Sequence, residues 1–386
     1  MLRSSVLGGM AALAFDVIVA GVGGMGSAAC YHLAARGLRV LGLERLDIPN
    51  AFGSSHGQTR IIRLAYAQDP AYVPLLRRAY ALWHEMGERA DERLIYTTGG
   101  IDAGPEGSGL FEGSLASCHA HGIRHQVLDG NAVNRRFPGY RLPGDHLCLY
   151  QPDAGFVLPE RSVVVHVTAA QALGAEIRAR EPVLGWEALA GGGIRVETPR
   201  GTYEAGRLVL SPGAWIGSLA PGLAPLAVPE RQVLGWFQPG DPALFAPDCF
   251  PIANLALDEG RYYLLPVWNT PGLKVGLYNH LRERGDPDAL SRSVTAEDEA
   301  VLRRCIARYF PGADGPVMAL AACLFTNTPD EHFIIDALPD QPEVLVVSAC
   351  SGHGFKFVPV VGEIVADLVT TSTSRFDLSM FRLGRF

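Results

Sequence analysis

Two arginines, Arg60 and Arg63, stand three residues apart in the run GSSHGQTRIIR (53–63), among small and hydroxyl-bearing residues. Glycine and serine suit a backbone that passes close to a ligand. Guanidinium groups are permanent cations with a planar fork of donors, so this pair could bind a carboxylate or stabilise negative charge that develops nearby. From this run alone, a pair of ordinary surface arginines remains an alternative.

A third cation, Lys356, lies in the run SGHGFKF (351–357) near the C-terminus. This run follows an apolar segment that predicts a buried strand, and it precedes a predicted helix at about 360–369. Loops at the carboxyl ends of parallel strands are where α/β proteins bind their ligands. Lys356 is therefore either a solvated lysine or an anion holder, and the flanking Gly352 and Gly354 favour the anion holder.

The clearest structural pattern, and the scaffold expected to position these cations, lies near the N-terminus. The run GVGGMG (21–26) lies between a strand pattern at 15–21 and a helical pattern at 25–36, and a second strand pattern follows at 39–44. Strand, glycine turn, helix and strand in this order predict a βαβ dinucleotide cradle. A glycine-rich turn without a ligand is the alternative, and the motif alone does not separate NAD from FAD.

Each glycine of this turn has an expected role. Gly21 permits the tight turn, Gly23 lets the backbone approach a pyrophosphate, and Gly26 lets the helix pack on the strand. The N–H groups at the start of the helix would face the anion. Glu44 ends the second strand, where its carboxylate could accept hydrogen bonds from ribose hydroxyls and would disfavour a 2′-phosphate.

The remaining patterns predict an α/β fold class with two domains. Strand and helix patterns of the nucleotide-binding type recur at intervals, and stretches of short strands with Gly and Pro turns interrupt them. The nucleotide-binding domain is therefore expected to be discontinuous. Its predicted segments are 15–93, 151–226 and 320–386, the second domain takes 94–150 and 227–319, and 1–14 form an N-terminal extension.

Composition narrows the class of protein. The net charge of −7 argues against a nucleic-acid partner, which needs clustered Lys and Arg. No apolar run reaches the roughly 18 to 20 residues of a membrane span. The seven cysteines are scattered without a CxxC pair, which suits a reducing, cytoplasmic compartment, and no metal site is expected. Residues 1–14 resemble a short signal peptide, but their apolar stretch is short and broken by glycine, so an uncleaved extension is favoured.

Four separated segments together resemble the monomeric sarcosine oxidase and N-methyltryptophan oxidase family. They are the glycine turn with Glu44, GSSHGQTRIIRLAY (53–66), CLFTNTPDEHFIID (323–336) and SGHGFKF (351–357), and they span nearly the whole chain from Phe15. The resemblance implies FAD rather than NAD. It also implies a discontinuous Rossmann-like FAD-binding domain, a second, mostly antiparallel α+β substrate domain, and a monomer.

The resemblance further implies roles for single residues. Cys323 matches the family cysteine that forms a thioether with the flavin 8α-methyl carbon, a bond that a thiolate near a cation could form. Arg63 and Lys356 match the pair that binds the substrate carboxylate. Lys274, in the run GLKVG (272–276), matches the lysine that activates oxygen, since a positive charge there would stabilise nascent superoxide.

Other residues are expected at the cofactor. Arg60, with Thr59 and His56, matches the group close to the flavin ring. The full expected cofactor-binding set is Gly21, Gly23, Gly24, Gly26, Glu44, Arg45, Ser54, His56, Thr59, Arg60, Val183, Gly213, Cys323, Gly352, Gly354, Phe355 and Lys356.

Three positions depart from the family pattern. The family histidine near the substrate amine lies four residues after the oxygen-activating lysine, where this chain has Tyr278, and His280 follows two residues later. Either residue is therefore a candidate catalytic group. Phe325 stands where sarcosine-specific members have a tyrosine, and Cys350 stands where an aromatic residue is common.

The function implied is the FAD-dependent oxidation of the C–N bond of a small secondary or N-methyl amino acid to an imine, with O₂ reduced to hydrogen peroxide. A related flavin oxidase or dehydrogenase for a bulkier N-methyl, cyclic imino or glycated amino acid is an alternative. An NAD(P)-dependent reductase and a non-catalytic FAD-binding protein are weaker ones.

Overall fold

The computed structural model of the protein describes residues 14–386, so the predicted extension lies outside the described residues except for Ala14. Within this part the strands are β1 (Phe15–Ala20), β2 (Val40–Leu43), β3 (Arg60–Ile62), β4 (Ile95–Thr97), β5 (Gly100–Gly104), β6 (Gln126–Asp129), β7 (Leu147–Gln151), β8 (Gly155–Val157), β9 (Glu176–Arg178), β10 (Gly185–Ala188), β11 (Ile194–Thr198), β12 (Gly201–Leu210), β13 (Val228–Phe237), β14 (Ile252–Leu257), β15 (Gly260–Leu265), β16 (Leu273–Leu277), β17 (Val317–Asn327), β18 (Ile334–Leu338) and β19 (Gln341–Ser348). The α-helices are α1 (Gly24–Ala34), α2 (Val73–Ala90), α3 (Leu110–His121), α4 (Gly130–Arg136), α5 (Pro159–Ala172), α6 (Ile216–Leu219), α7 (Ala296–Tyr309) and α8 (Val358–Thr371).

The first sheet has the Rossmann-like arrangement. Its order is β9-β2-β1-β12-β19-β18, with parallel pairing throughout except at β18, and β10 and β11 add an antiparallel ribbon to β12. Both faces are covered: Val17 and Val19 of β1 belong to one hydrophobic core, and Ile18 and Ala20 belong to another. Burial on both faces explains why these strands are continuously apolar in the sequence.

Helices α1 and α8 pack so closely that a glycine is required between them. A Cβ at Gly362 of α8 would lie 2.6 Å from the carbonyl carbon of Ala28 in α1. Since α8 begins directly after the loop that carries Lys356, this contact holds the loop against the start of the first helix.

The second sheet is mostly antiparallel, in the order β17-β13-β16-β15-β14-β5-β7-β6, and only β14 and β5 pair in parallel. Helix α7 covers one face, where Val233 and Phe237 of β13 are buried. The alternate residues Leu234 and Trp236 form a separate cluster with Cys323 on the other face. The predicted α/β class with a Rossmann-like domain and a second domain is confirmed, and the domain boundaries stay a prediction.

A buried ionic cluster joins the second sheet to α7. The carboxylate of Asp298 accepts two hydrogen bonds from the Arg231 guanidinium, both 2.8 Å long, and one from the Thr295 N–H at 2.8 Å. His280 Nε2 lies 2.9 Å from the same carboxylate. These contacts, those with Arg231 first, hold the pKa of Asp298 well below its usual value.

Replacing this carboxylate should destabilise the protein. Asp298→Asn removes the buried counter-charge of Arg231 and leaves only the more distant, exposed Glu283 at 3.7 Å. We therefore expect the free energy of unfolding to fall by about 3 kcal/mol, measured by urea denaturation. The matched control is Glu299→Gln, which removes a partly exposed ion pair to Arg303 and should cost less than about 1 kcal/mol. If the two variants lost equal amounts of unfolding free energy, the Asp298 cluster would not be the stabilising contact described here.

Candidate active site

One cavity between the two large sheets brings together segments that are far apart in the sequence. Its wall includes the glycine turn at 21–25, much of the loop at 53–63, the end of β17 at 323–325 and the loop at 352–356. Most of the residues singled out from the sequence therefore face a common space.

The glycine turn is shaped by the absence of side chains. Gly21 has a φ of +91°, and a Cβ there would lie 2.6 Å from Pro212 Cα. A Cβ at Gly26 would lie 1.8 Å from the carbonyl oxygen of Gly21, so this glycine brings the helix against the strand. Around Gly23, only Ser55 Oγ lies within 4 Å of a Cβ position, at 3.6 Å. The turn is therefore tight inside and open toward the cavity.

The start of α1 and the end of β2 suit an anion and a sugar. The N-cap, Gly23, offers no side-chain cap, and the Gly24 N–H donates to Ser55 Oγ at 3.0 Å. The buried Glu44 carboxylate accepts the Val22 N–H at 2.8 Å and the Leu46 N–H at 2.9 Å, and burial raises its pKa. Helix-terminal N–H groups beside an acidic strand end fit a dinucleotide with free ribose hydroxyls.

The loop at 53–63 is fastened on two sides. The Glu160 carboxylate, in the first turn of α5, accepts the N–H groups of Gly57 at 2.6 Å and Gln58 at 3.0 Å. Ser54 Oγ donates to the Leu324 carbonyl of β17 at 2.6 Å. The loop thus connects a helix of the first domain to a strand of the second sheet.

Cys323 lies in a positively charged environment on the cavity wall. Arg60 Nη2 is 3.6 Å from its sulfur, and Arg60 is held by the carbonyls of Ser54 and Thr59, each at 3.0 Å. Burial raises the pKa of the thiol, but His56, Arg60 and Lys274 together lower it to about 6. The sulfur is therefore largely a thiolate at neutral pH, which makes it a nucleophile.

Lys274 lies behind the cavity wall. Its ammonium donates to the carbonyls of Gly57 and Thr59, both at 2.7 Å, and lies 5.5 Å from the centre of the Trp236 ring. Burial first, and then the charge of Arg60, lower the pKa of Lys274 well below its usual value. The predicted oxygen-activating lysine is thus separated from the cavity by the backbone that it supports.

Arg63 is held by an acid that sequence reasoning missed. Arg63 Nη1 donates to Asp102 Oδ2 in a fully buried ion pair. Asp102 also accepts Ser114 Oγ at 2.6 Å and Asn254 Nδ2 at 2.9 Å. Arg63 and Asn254 line the cavity, so its wall is polar on this side.

Lys356 is buried beside aromatic rings. Its ammonium donates to the His353 carbonyl at 2.7 Å and lies 5.3 Å from the centre of the Tyr66 ring. Burial first, and then the charges of Arg63 and Arg261, lower its pKa well below the usual value. A nearby anion would raise this pKa again.

Of the two candidates near the substrate amine, the structure places Tyr278 at the cavity. Tyr278 packs against Tyr263 and Phe325, with ring centres 5.3 and 5.8 Å away, and all three line the wall. His280 points instead to Asp298, because the chain turns at Asn279, whose φ is +55°. His280, expected as a candidate catalytic group, instead packs under α7 and binds Asp298.

Most of the predicted residues line this cavity, and four do not. The lining ones are Gly21, Gly23, Gly24, Glu44, Arg45, Ser54, Thr59, Arg60, Arg63, Val183, Gly213, Tyr278, Cys323, Gly352, Gly354, Phe355 and Lys356. The four outside the lining are Gly26, His56, Lys274 and His280. Asp102, Asn254 and Tyr263 were not predicted from the sequence. Of the three, Asp102 had a recognisable sequence signal of a buried functional acid, because it stands in an apolar run between glycines.

Comparisons with known proteins agree with a nucleotide-binding oxidoreductase. The profile of the family described as FAD dependent oxidoreductase matches residues 16–368. Monomeric sarcosine oxidase of Streptomyces avermitilis is 41% identical over 375 residues, which are 95% of this chain and 96% of that protein. N-methyl-L-tryptophan oxidase of Salmonella arizonae is 36% identical over 378 residues, which are 96% and 99% of the two chains.

Solved structures share the fold. NikD, described as an unusual amino acid oxidase essential for nikkomycin biosynthesis, superposes in its open form with a TM-score of 0.82 at 27% identity. The match covers 95% of this chain and 97% of that one. No helix in residues 14–386 combines the length and apolarity that crossing a bilayer requires.

The thiol of Cys323 should react at a lower pH than the other cysteines. In the cofactor-free protein, we expect its alkylation by iodoacetamide to have a midpoint near pH 6, because the thiolate is the reactive form. Mass spectrometry of the Cys323 peptide gives the rate at each pH. Cys350, which lines the same cavity but whose pKa is raised by burial, is the internal control. A midpoint for Cys323 at or above the ordinary value of 9.0 would contradict this environment.

Proposed function

The chain belongs to the FAD dependent oxidoreductase family, and we propose that it oxidises the C–N bond of a small N-methyl or other secondary amino acid to an imine, with O₂ as the electron acceptor. The observation that carries this proposal is the convergence of Arg63, Lys356 and Cys323 on the cavity that also contains the glycine turn. A carboxylate-bearing substrate and a flavin would share one enclosed site.

The residues present fit FAD. The open space at Gly23 and the start of α1, whose N-cap glycine has no side chain to cap it, suit the pyrophosphate. Glu44 suits the ribose, and Val183 and Gly213 line the same cavity. When bound, FAD would accept the electrons from the substrate and pass them to O₂, which is reduced to hydrogen peroxide. Membership of an FAD family removes the support for an NAD(P)-dependent reductase.

Arg63 and Lys356 would bind the substrate carboxylate. Both line the cavity. In the described chain, the Lys356 ammonium makes one hydrogen bond, to the His353 carbonyl, so its other donors can bind a ligand. The same cations would lower the pKa of a bound amine and so keep it neutral, the form that can give up electrons. Tyr278 and Phe325 would pack against the substrate and exclude water. We assign no general base to this site.

We further propose that Cys323 is bonded covalently through its sulfur to the 8α-methyl carbon of FAD. The support is the lowered pKa of the thiol and the Arg60 guanidinium 3.6 Å from the sulfur. Arg60 and Lys274 would also provide the positive potential that favours electron transfer to O₂. Lys274 would act through the loop at 57–59 rather than by direct contact.

A bulkier or more polar amino acid is the second candidate substrate. The observation in its favour is the polar wall formed by Arg63 and Asn254, both hydrogen-bonded to Asp102, together with Tyr278 in place of the family histidine. We also propose a cytoplasmic monomer. Seven free cysteines in the described chain and the names of the monomeric relatives support this proposal.

Secondary amino acids should give peroxide. We expect the purified enzyme to release hydrogen peroxide with sarcosine or another member of a panel containing N-methyltryptophan, proline, pipecolate and fructosyl-glycine, measured by a peroxidase-coupled assay. Lys356→Met should lower kcat/KM for the best substrate by about 10- to 100-fold, because a charge-assisted contact to the carboxylate is lost. If the wild-type enzyme oxidised none of the secondary amines in the panel, the proposed function would be contradicted.

The flavin should stay with the denatured polypeptide. After acid precipitation, yellow colour and the flavin mass should remain on the peptide that contains Cys323, since a thioether survives unfolding. Cys323→Ala should release all flavin into the supernatant. Cys350→Ala, which removes the other thiol of the cavity wall, should retain it. Release of free FAD from the wild-type protein would remove the covalent bond from the proposal.

A further inference from the structure

Arg261 is a cation that no step above uses. It lies on β15, and its guanidinium carbon is 4.9 Å from the centre of the Tyr278 ring. Its Nε and Nη2 atoms are buried and have no hydrogen-bond partner within residues 14–386. Buried guanidinium donors are usually paired, because an unpaired donor loses its hydration without compensation. These two donors are therefore free to bind a group from outside the described chain, such as an anion.

A second cavity adjoins this guanidinium. Its wall includes Arg261, Gln68 and Ser108, and the Gln68 Oε1 and Ser108 Oγ atoms are also buried without partners in the described chain. Since the Tyr278 ring under Arg261 lines the first cavity, Arg261 stands at the junction of the two spaces. Two carboxylates, Asp330 and Glu331, also line the second cavity. Asp330 is paired with Arg385, and in the part of the chain that the structure describes neither of the two forms an ion pair with Arg261.

The charges around the junction leave a surplus of positive charge. Arg63, Arg261 and Lys356 act on one another, and the first two lower the pKa of Lys356. The carboxylate that faces them, Asp102, is already engaged by Arg63, Ser114 and Asn254. One substrate carboxylate at Arg63 and Lys356 would offset one positive charge, and the Nε and Nη2 donors of Arg261 would still be without a hydrogen-bonding carboxylate from residues 14–386.

We propose that Arg261 binds a second carboxylate of the substrate, so that the substrates are N-alkyl dicarboxylic amino acids. The α-carboxylate lies at Arg63 and Lys356, and the side-chain acid extends past Tyr278 to the donors of Arg261. This inference deepens the proposed function and rests on it. Guanidinium forks suit carboxylates, and a buried pair of this kind discriminates strongly against a neutral amide.

The first test compares substrates of the same shape. For the wild-type holoenzyme, kcat/KM for N-methyl-L-glutamate should exceed that for N-methyl-L-glutamine by about 10-fold or more. Arg261→Met should abolish this preference and change kcat/KM for sarcosine less than about 3-fold. Arg282→Met, which removes an exposed arginine in the loop after β16, is the matched control and should change neither the substrate preference nor sarcosine turnover.

The second test measures binding without turnover. Glutarate and its monoamide, glutaramate, should perturb the absorbance of the bound flavin, with glutarate about 10-fold tighter in the wild type and equal to the monoamide in Arg261→Met. Equal affinities in the wild type would overturn the proposal. The proposal would also be overturned if Arg261→Met lowered kcat/KM for sarcosine as much as kcat/KM for N-methyl-L-glutamate. In that case Arg261 would hold the α-carboxylate. Absence of oxidation of every amine would defeat the proposed function separately, since the glutarate titration needs no turnover.

Discussion

Repulsion among buried cations is the constraint on which the rest of this site depends. Arg63 and Lys356 line the cavity wall, Lys274 lies just behind it, and each is less than a tenth exposed. Their desolvation is offset locally by backbone carbonyls and by the Asp102 carboxylate. What remains is a positive potential in a low-dielectric space, where charges act more strongly than in water. At Arg63 and Lys356 that potential accounts for the affinity expected for an anionic substrate. The low pKa of Cys323 comes from His56, Arg60 and Lys274.

Such an arrangement persists only if the fold prevents the cations from separating. The loop at 53–63 cannot move away, because Glu160 holds its backbone from the first domain and the Leu324 carbonyl holds Ser54 from the second sheet. The loop that carries Lys356 is fixed by α8, which the missing side chain of Gly362 allows to sit directly on α1. Both sheets therefore contribute to one rigid charge distribution, and neither would create it alone.

The elements of this scaffold could be predicted from the sequence, but the pairing of side chains could not. The glycine turn follows from its spacing, and the apolar patterns predict helices at 72–88, 158–173 and 296–309. Helices α2, α5 and α7 begin and end within two residues of these bounds. Helix α3 was missed because its glycine, serine and histidine residues give a weak apolar stripe. The contact between Arg63 and Asp102 joins residues 39 apart through sheet packing, which no local pattern records. The choice of Tyr278 over His280 depends on one left-handed residue in a turn.

The distribution of lysine offers a signal that spacing alone does not. Of the 33 basic residues, only Lys274 and Lys356 are lysines, and both are buried at this site. Arginine keeps its charge in any environment, whereas the pKa of lysine falls readily on burial. Lysine at these two positions therefore gives cations whose charge depends on what lies next to them. Arg63 provides a fixed charge, and an approaching carboxylate would raise the pKa of Lys356 and draw a proton to it. Binding of an anion would thus favour the charged form of Lys356 and offset its repulsion from Arg63.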